Sequence, residues 1–209
     1  MFKPIISLCL FLSISVQAFA FDEVDCCQRW VIDGALGMAF YSAAVEKEPQ
    51  VATGRLSVGR IIATQTYWQA AIELGLQSGN TLALRFPKEA IAALGGVEIE
   101  ATMKPMLDAL VSVRSETLIE FPLFSWVKAG VAYREMTVDK AAVNTSKGFS
   151  PEVMAGLGFQ INEQAVMRLG YQYIHGQSPT LSVDEVNESA TLRHLPAQQA
   201  LLLGFSYQF

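Results

Sequence analysis

The chain has 209 residues, 51% of them apolar and 17% charged, with a formal charge of −5. That balance excludes a disordered chain and a coiled-coil rod, and its sign gives nucleic acid no electrostatic attraction. There is no heptad run, no long internal repeat and no low-complexity tract.

The chain opens on an address. Lys3 is followed by an apolar run from Ile5 to Val16 and by the small-x-small stretch Ala18-Phe19-Ala20. This is the pattern of a secretory signal peptide over residues 1–20, cleaved before Phe21. The run is shorter than the roughly 20 residues of a spanning helix. Removing Lys3 leaves 14 basic and 20 acidic side chains, a mature charge of −6. Residues 21–29 then form a short periplasmic segment and residues 30–209 the folded domain. Cys26 and Cys27 are adjacent, with Cα atoms about 3.8 Å apart, closer than an ordinary disulfide allows. A strained bond, pairing with a second chain and two free thiols all remain open. Glu23-Val24-Asp25 before Cys26 is unlike the small apolar residues of a lipoprotein anchor.

The mature chain holds no apolar stretch long enough for a transmembrane helix. A closed sheet can still cross a bilayer on strands of roughly 9–11 residues, and its signal is alternation. Eight segments alternate: Trp30–Tyr41, Thr66–Gln77, Thr81–Phe86, a stretch from Val97 to Arg114, Leu123–Arg134, 152–161, 165–173 and 200–209. In the fourth, the odd positions Val97 to Val113 are read as one apolar series broken by Pro105. Asp33, Glu73, Arg85, Asp108, Arg114, Lys128, Arg134, Glu152 and Arg168 fall on the small or polar face, and the other face of these segments carries no charge. A soluble barrel of lipocalin type would fill its inside with the large apolar residues. Here the face opposite them is rich in Gly and Ala and bears the charges, which suits a narrow polar interior inside a lipid-facing wall. Aromatics near segment ends (Trp30, Phe40, Trp68, Phe86, Tyr133, Phe159, Tyr173, Phe209) fit interfacial girdles. Phe124 and Trp126 sit on the polar parity. Either a bulge before Lys128 swings them outward, or they cap the inner rim.

Short connections are expected at Ser78–Asn80, Ser115–Pro122 and Asn162–Glu163. Long ones are expected at Ser42–Gln65, Pro87–Gly96, Glu135–Ser150 and Ile174–Ala197, the second holding a short helix over Lys88–Leu94. Short periplasmic turns and long external loops place both termini in the periplasm.

The alternating terminal stretch Leu201, Leu203, Phe205, Tyr207, Phe209, together with Lys128-Ala-Gly-Val-Ala-Tyr133 and Leu169-Gly-Tyr-Gln-Tyr173, resembles the small OmpA/OmpX-like outer-membrane β-barrel proteins of Gram-negative bacteria, often called porin-family. The resemblance covers essentially the whole mature chain. It implies an all-β, eight-stranded, antiparallel up-and-down transmembrane barrel, monomeric and surrounded by outer-membrane lipid and lipopolysaccharide. It also implies that Leu203, Phe205, Tyr207 and Phe209 are read by the barrel-assembly machinery. The chain stops at the eighth segment, so a cell-wall tethering domain is not expected.

The interior charges, four acids and five bases, suggest a paired plug in a barrel about wide enough for side chains to fill. Glu152 is expected to pair with Arg134 or Arg168. The expected role is structural and surface-interacting, through external loops that touch host or environment. A porin-like path for ions or small solutes is the alternative, and a lipid-modifying enzyme a distant one. His175 and His194, with Asp184, Glu185 and Glu188 between them, lack the fixed spacing of a metal site. His175 with Ser178 lacks a third partner for nucleophilic catalysis. No cofactor, metal or catalytic residue is assigned.

Overall fold

The computed structural model describes residues 29–42, 50–83, 100–115, 121–138, 143–184 and 189–209. The signal sequence, Cys26, Cys27, Arg85 and the helix expected over Lys88–Leu94 lie outside these residues.

Twelve strands are described: β1 (Trp30–Tyr41), β2 (Gln50–Thr64), β3 (Trp68–Gln77), β4 (Asn80–Ala83), β5 (Glu100–Met103), β6 (Met106–Ser115), β7 (Leu123–Val138), β8 (Ser146–Gln160), β9 (Ala165–Ile174), β10 (Thr180–Asp184), β11 (Ser189–Arg193) and β12 (Gln198–Gln208). Eight of them close a ring in the order β1-β2-β3-β6-β7-β8-β9-β12, each antiparallel to its neighbours. The seam is drawn shut by Trp30 N–H to Phe209 O and Phe209 N–H to Trp30 O, both at 3.0 Å.

The wall is patterned inside out. Leu157, Leu169, Leu203 and Leu36 pair in register across β8, β9, β12 and β1, and all point outward. Leu56, Leu76, Leu107 and Tyr133 form a second outward file across β2, β3, β6 and β7. Charged side chains fill the inside instead. A sheet that hides its charges and exposes leucine is stable only with hydrocarbon against it. The fold is an eight-stranded outer-membrane-type β-barrel.

The count of eight is as expected, but one member is not, and one expected segment is absent from the ring. Gln50–Thr64, expected inside a long loop, is the full wall strand β2. Thr81–Phe86 is not a wall strand. Its described part, β4, continues β3 past Ser78-Gly79, while β5 continues β6 past Lys104-Pro105. The first reversal after β2 is therefore at 65–67, and Ser78–Asn80 is an interruption within a strand rather than a turn between two. The two interruptions lie side by side: a Cβ on Gly79 would meet the carbonyl carbon of Lys104 and the nitrogen of Pro105 at 2.8 Å. Pro105 has no N–H for a ladder, and Gly79 lets the neighbouring chain close over that gap. Inward parity changes across both breaks, from Gln77 to Leu82 and from Met103 to Met106. The odd positions from Val97 to Val113 are thus not one outward series, because Ala101 and Met103 face in.

Phe124 and Trp126 also face in, and both are buried. The β7–β8 register runs unbroken from Leu123↔Phe159 to Met136↔Ser146, so no bulge intervenes. Glycines on β8 and β9 make room: a Cβ on Gly158 would overlap the Phe124 ring, and one on Gly170 the Trp126 indole.

Ser115, Leu123 and the turns 65–67 and 161–164 share one end of the barrel with Arg29 and Phe209. Asn162 ties the last of these, accepting N–H bonds from Gln164 and Ala165 at 2.9 and 2.7 Å. Tyr41, Gln50, Val138, Ser146, Ile174 and Gln198, with strands β4 and β5, lie at the opposite end. Below, "lower" denotes the first end and "upper" the second.

Candidate functional site

The wall strands send polar side chains into two networks, a lower one that joins β1, β2, β3, β6, β7, β9 and β12 and an upper one that joins β2, β3, β8 and β9. From β2, Arg55 gives Nη2–H to Asp108 Oδ1 at 2.6 Å and Nε–H to Oδ2 at 2.9 Å on β6. It also gives Nη1–H to Ser57 Oγ at 3.0 Å, and Ser57 reaches Glu73 on β3 at 3.4 Å. Lys128 on β7 donates to Glu73 Oε2 at 2.6 Å and stands 3.9 Å from Asp33 on β1. Asp33 takes Arg168 of β9 as an ion-pair partner and accepts from Ser206 of β12 at 3.0 Å. Toward the upper end, Gln172 Nε2 donates to both Glu152 Oε1 on β8 (2.6 Å) and Gln77 Oε1 (2.8 Å), and Gln77 passes the chain to Thr53 at 2.9 Å. Ionised partners inside a narrow tube are far less screened than on a surface, so these bonds are short and directional.

Strand parity explains the convergence. A barrel of eight strands leaves only side-chain width inside, and every second residue must enter it. Asp33, Glu73, Asp108, Lys128, Arg134, Glu152 and Arg168 all enter this interior, while Arg114 lies at its lower mouth, on the inward parity of β6 and half exposed. Arg85 lies outside the described residues. The residue that sequence reasoning missed is Arg55, 1% exposed and placed at the hub. It was hidden because Gln50–Thr64 was read as loop. Leu56, Val58 and Ile62 alternating with Arg55, Ser57 and Gly59 carried the signal, diluted by Gly54 and by Arg60 on the outward side. Arg60 faces Trp30 across β1–β2 at the lower rim, the border position where such a pair is tolerated.

The pairing expected of Glu152 does not form. Arg168 goes to Asp33, and Arg134 Nη1 donates to the carbonyl of Pro196 at 2.8 Å. Glu152 is held by the neutral amide of Gln172 instead, the diagonal inward neighbour on the adjoining strand, where Ile174 stands opposite Glu152 and Gln172 opposite Met154.

The upper mouth is stopped by chain. After β11, His194 turns the backbone at φ 68°, a left-handed position that a short polar residue tolerates better than a β-branched one. Leu195, Pro196 and Ala197 then drop into the lumen and are buried. Leu192 and Leu195 pack in one cluster with Tyr41, Leu82, Met103 and Met136. Ser42 N–H donates to Ala197 O at 3.0 Å, and Leu192 N–H to Asn144 Oδ1 at 2.6 Å. At the lower end, Phe124 lies 5.4 Å beneath Arg114, and Trp126 lies 5.6 Å from both Lys128 and Arg168. A cavity of about 30 Å³ remains there. On the outside, a groove of about 760 Å³ runs over Gly34 and Gly54 between Leu36, Leu56, Leu76 and Phe205.

The His175 ring sits edge-on to Tyr173 at 6.5 Å. Glu185 and Glu188 lie outside the described residues, and among those described no three His, Cys, Asp or Glu side chains converge. Leu203, Phe205, Tyr207 and Phe209 all face outward on the closing strand.

No family model matches the chain, and no curated protein matches it. Among solved structures, it is similar to Ail, the attachment invasion locus protein of Yersinia pestis, crystallised with the heparin analogue sucrose octasulfate. Identity there is 10% over 87% of this chain and 97% of that one, with a TM-score of 0.49. A major outer membrane protein of Thermus thermophilus is 13% identical over 88% and 100% of the two chains, with a TM-score of 0.48. Neisserial surface protein A is 14% identical over 87% and 97%, with a TM-score of 0.44.

Proposed function

We propose that the protein sits in the outer membrane of a Gram-negative cell as a closed, non-conducting barrel whose role is carried by its external face. The observation behind this is the filled lumen. Two polar networks that together touch every wall strand occupy the middle, Leu195–Ala197 stops the upper end, and Phe124 and Trp126 narrow the lower one. The tube leaves the connections of its upper end as the place where recognition would be built. In this reading the upper end faces outward from the cell and the termini lie in the periplasm after removal of a signal peptide. Lipid and lipopolysaccharide surround a monomer, and the terminal strand with Leu203, Phe205, Tyr207 and Phe209 is the signal to the barrel-assembly machinery. The ligand is a host or environmental surface molecule. The reading assigns the protein no reaction.

The test is single-channel recording of refolded protein in a planar bilayer, with only material showing a heat-shifted gel band. Silence at neutral pH is expected. Stable, reproducible current steps would overturn the closed-barrel reading in favour of a porin-like path.

A further inference from the structure

Among the described residues of the wall strands, Arg60 on β2, Glu135 on β7 and Lys147 on β8 carry charge on the outward parity. Glu135 stands opposite Lys147 in the β7–β8 register and forms an ion pair with Lys104 at 2.6 Å. Arg60 has no such neighbour. Its register partners are Trp30 on β1 and Ile72 on β3, and among the described residues no carboxylate pairs with its guanidinium. Beside it runs a groove of about 580 Å³, lined by Trp30, Val58, Ile62, Ile72 and Leu74. All five are exposed on the lipid-facing side.

The groove coincides with a bulge. Ile61 faces Ala71 and Ala63 faces Ala70, so Ile62 is an extra residue on β2 with no partner on β3. A bulge at a barrel rim bends its strand and re-aims the side chains there. Val58 and Leu74 pair one step further up the wall than Arg60 and Ile72, so the trough leads from the cation at the lower rim into the apolar band. Hydrocarbon alone would fill the trough and leave the guanidinium unpaired. A soluble anion would pair the guanidinium, which takes phosphate oxygens through two parallel N–H bonds, and leave the trough empty. A molecule with a phosphate at the interface and a chain in the membrane meets both demands.

We propose that Arg60 and this groove hold one diacyl phospholipid, its phosphate on the guanidinium and one acyl chain along Val58, Ile72 and Leu74. Assigning that lipid to the periplasmic leaflet rests on the orientation proposed above. The site itself depends neither on that orientation nor on whether the barrel conducts.

Native mass spectrometry of the refolded full barrel in detergent, in material showing a heat-shifted band, tests it. The probe is palmitoyl-oleoyl phosphatidylglycerol. One lipid retained per barrel is expected, with no retention of the diacylglycerol of the same chains or of glycerol phosphate at equal concentration. Arg60→Gln is expected to weaken retention about tenfold. Lys147→Gln, which removes an outward cation at the other rim, should leave it unchanged. Equal retention by Arg60→Gln and the unaltered chain overturns the proposal, and so does an equal loss in Lys147→Gln. If Arg60→Gln gives no heat-shifted band, the unaltered chain decides. Diacylglycerol held as well as phosphatidylglycerol overturns the phosphate contact, and glycerol phosphate held as well overturns the acyl contact. None of these readouts involves current, so this inference and the closed-barrel reading can fail separately.

Discussion

Arg55 and Asp108 meet across an intervening strand. The guanidinium of β2 grips both carboxylate oxygens of β6 directly over Gly75 of β3, where a Cβ would lie 2.5–2.7 Å from their polar atoms. The pair is buried, so its single and double replacements separate attraction from the cost of isolation. Arg55→Met leaves the Asp108 charge without its partner and is expected to cost about 3–5 kcal/mol. Arg55→Met with Asp108→Leu removes both charges and is expected to be close to neutral. Urea unfolding in detergent micelles measures both. Additive losses in the double variant would show that the two residues act independently.

Gly170 seats the indole of Trp126. Gly170→Val forces overpacking in the lower lumen and is expected to destabilise the barrel by about 1–3 kcal/mol or more. Shrinking the indole by Trp126→Leu frees that space. The double variant should therefore be more stable than the sum of the two single effects, read from the midpoint of the heat-shifted band. A purely additive result would mean that the two residues do not share the site.

How much of this was legible in the sequence follows from how strongly each strand alternates. β1, β9 and β12 carry large apolar residues at nearly every second position, and both their faces and their interior charges are plain. β2 carries Gln50, Gly54 and Arg60 on its outward face, which lowers the contrast that alternation depends on, and Arg55 was lost with it. The paired breaks at Ser78-Gly79 and Lys104-Pro105 could not be seen from either segment alone, because each is compensated by the other across space. Partner choice was the least legible. Parity says that Glu152, Arg134 and Arg168 enter the same tube, but height along it follows from strand stagger, which places Arg168 against Asp33 and Arg134 against Pro196.

Arg134 is the side chain that fastens the upper stopper, through its bond to Pro196 O. Arg134→Met keeps much of the side-chain volume and removes that donor. The 175–197 connection is then expected to be nicked faster by protease added to the outside of intact cells or vesicles, while the heat-shifted band persists. Unchanged cleavage rates would show that the apolar packing of Leu192 and Leu195 holds the segment without Arg134.

The face assignment itself can be tested on adjacent residues of β8. Leu157 is exposed and belongs to the outward leucine file with Leu169, Leu203 and Leu36, whereas Gly158 faces in against the Phe124 ring. Leu157→Arg puts a charge into hydrocarbon, at a cost of about 2–4 kcal/mol near the bilayer midplane. It should reduce insertion most in thick bilayers, and least in detergent that can reorganise around it. Gly158→Arg crowds the lumen instead, so its defect should be the same in every lipid and should be relieved by Phe124→Ala. Vesicle insertion across a series of acyl-chain lengths distinguishes the two. If both variants respond alike to thickness, or Phe124→Ala rescues Leu157→Arg, then the outward and inward faces of β8 have been exchanged.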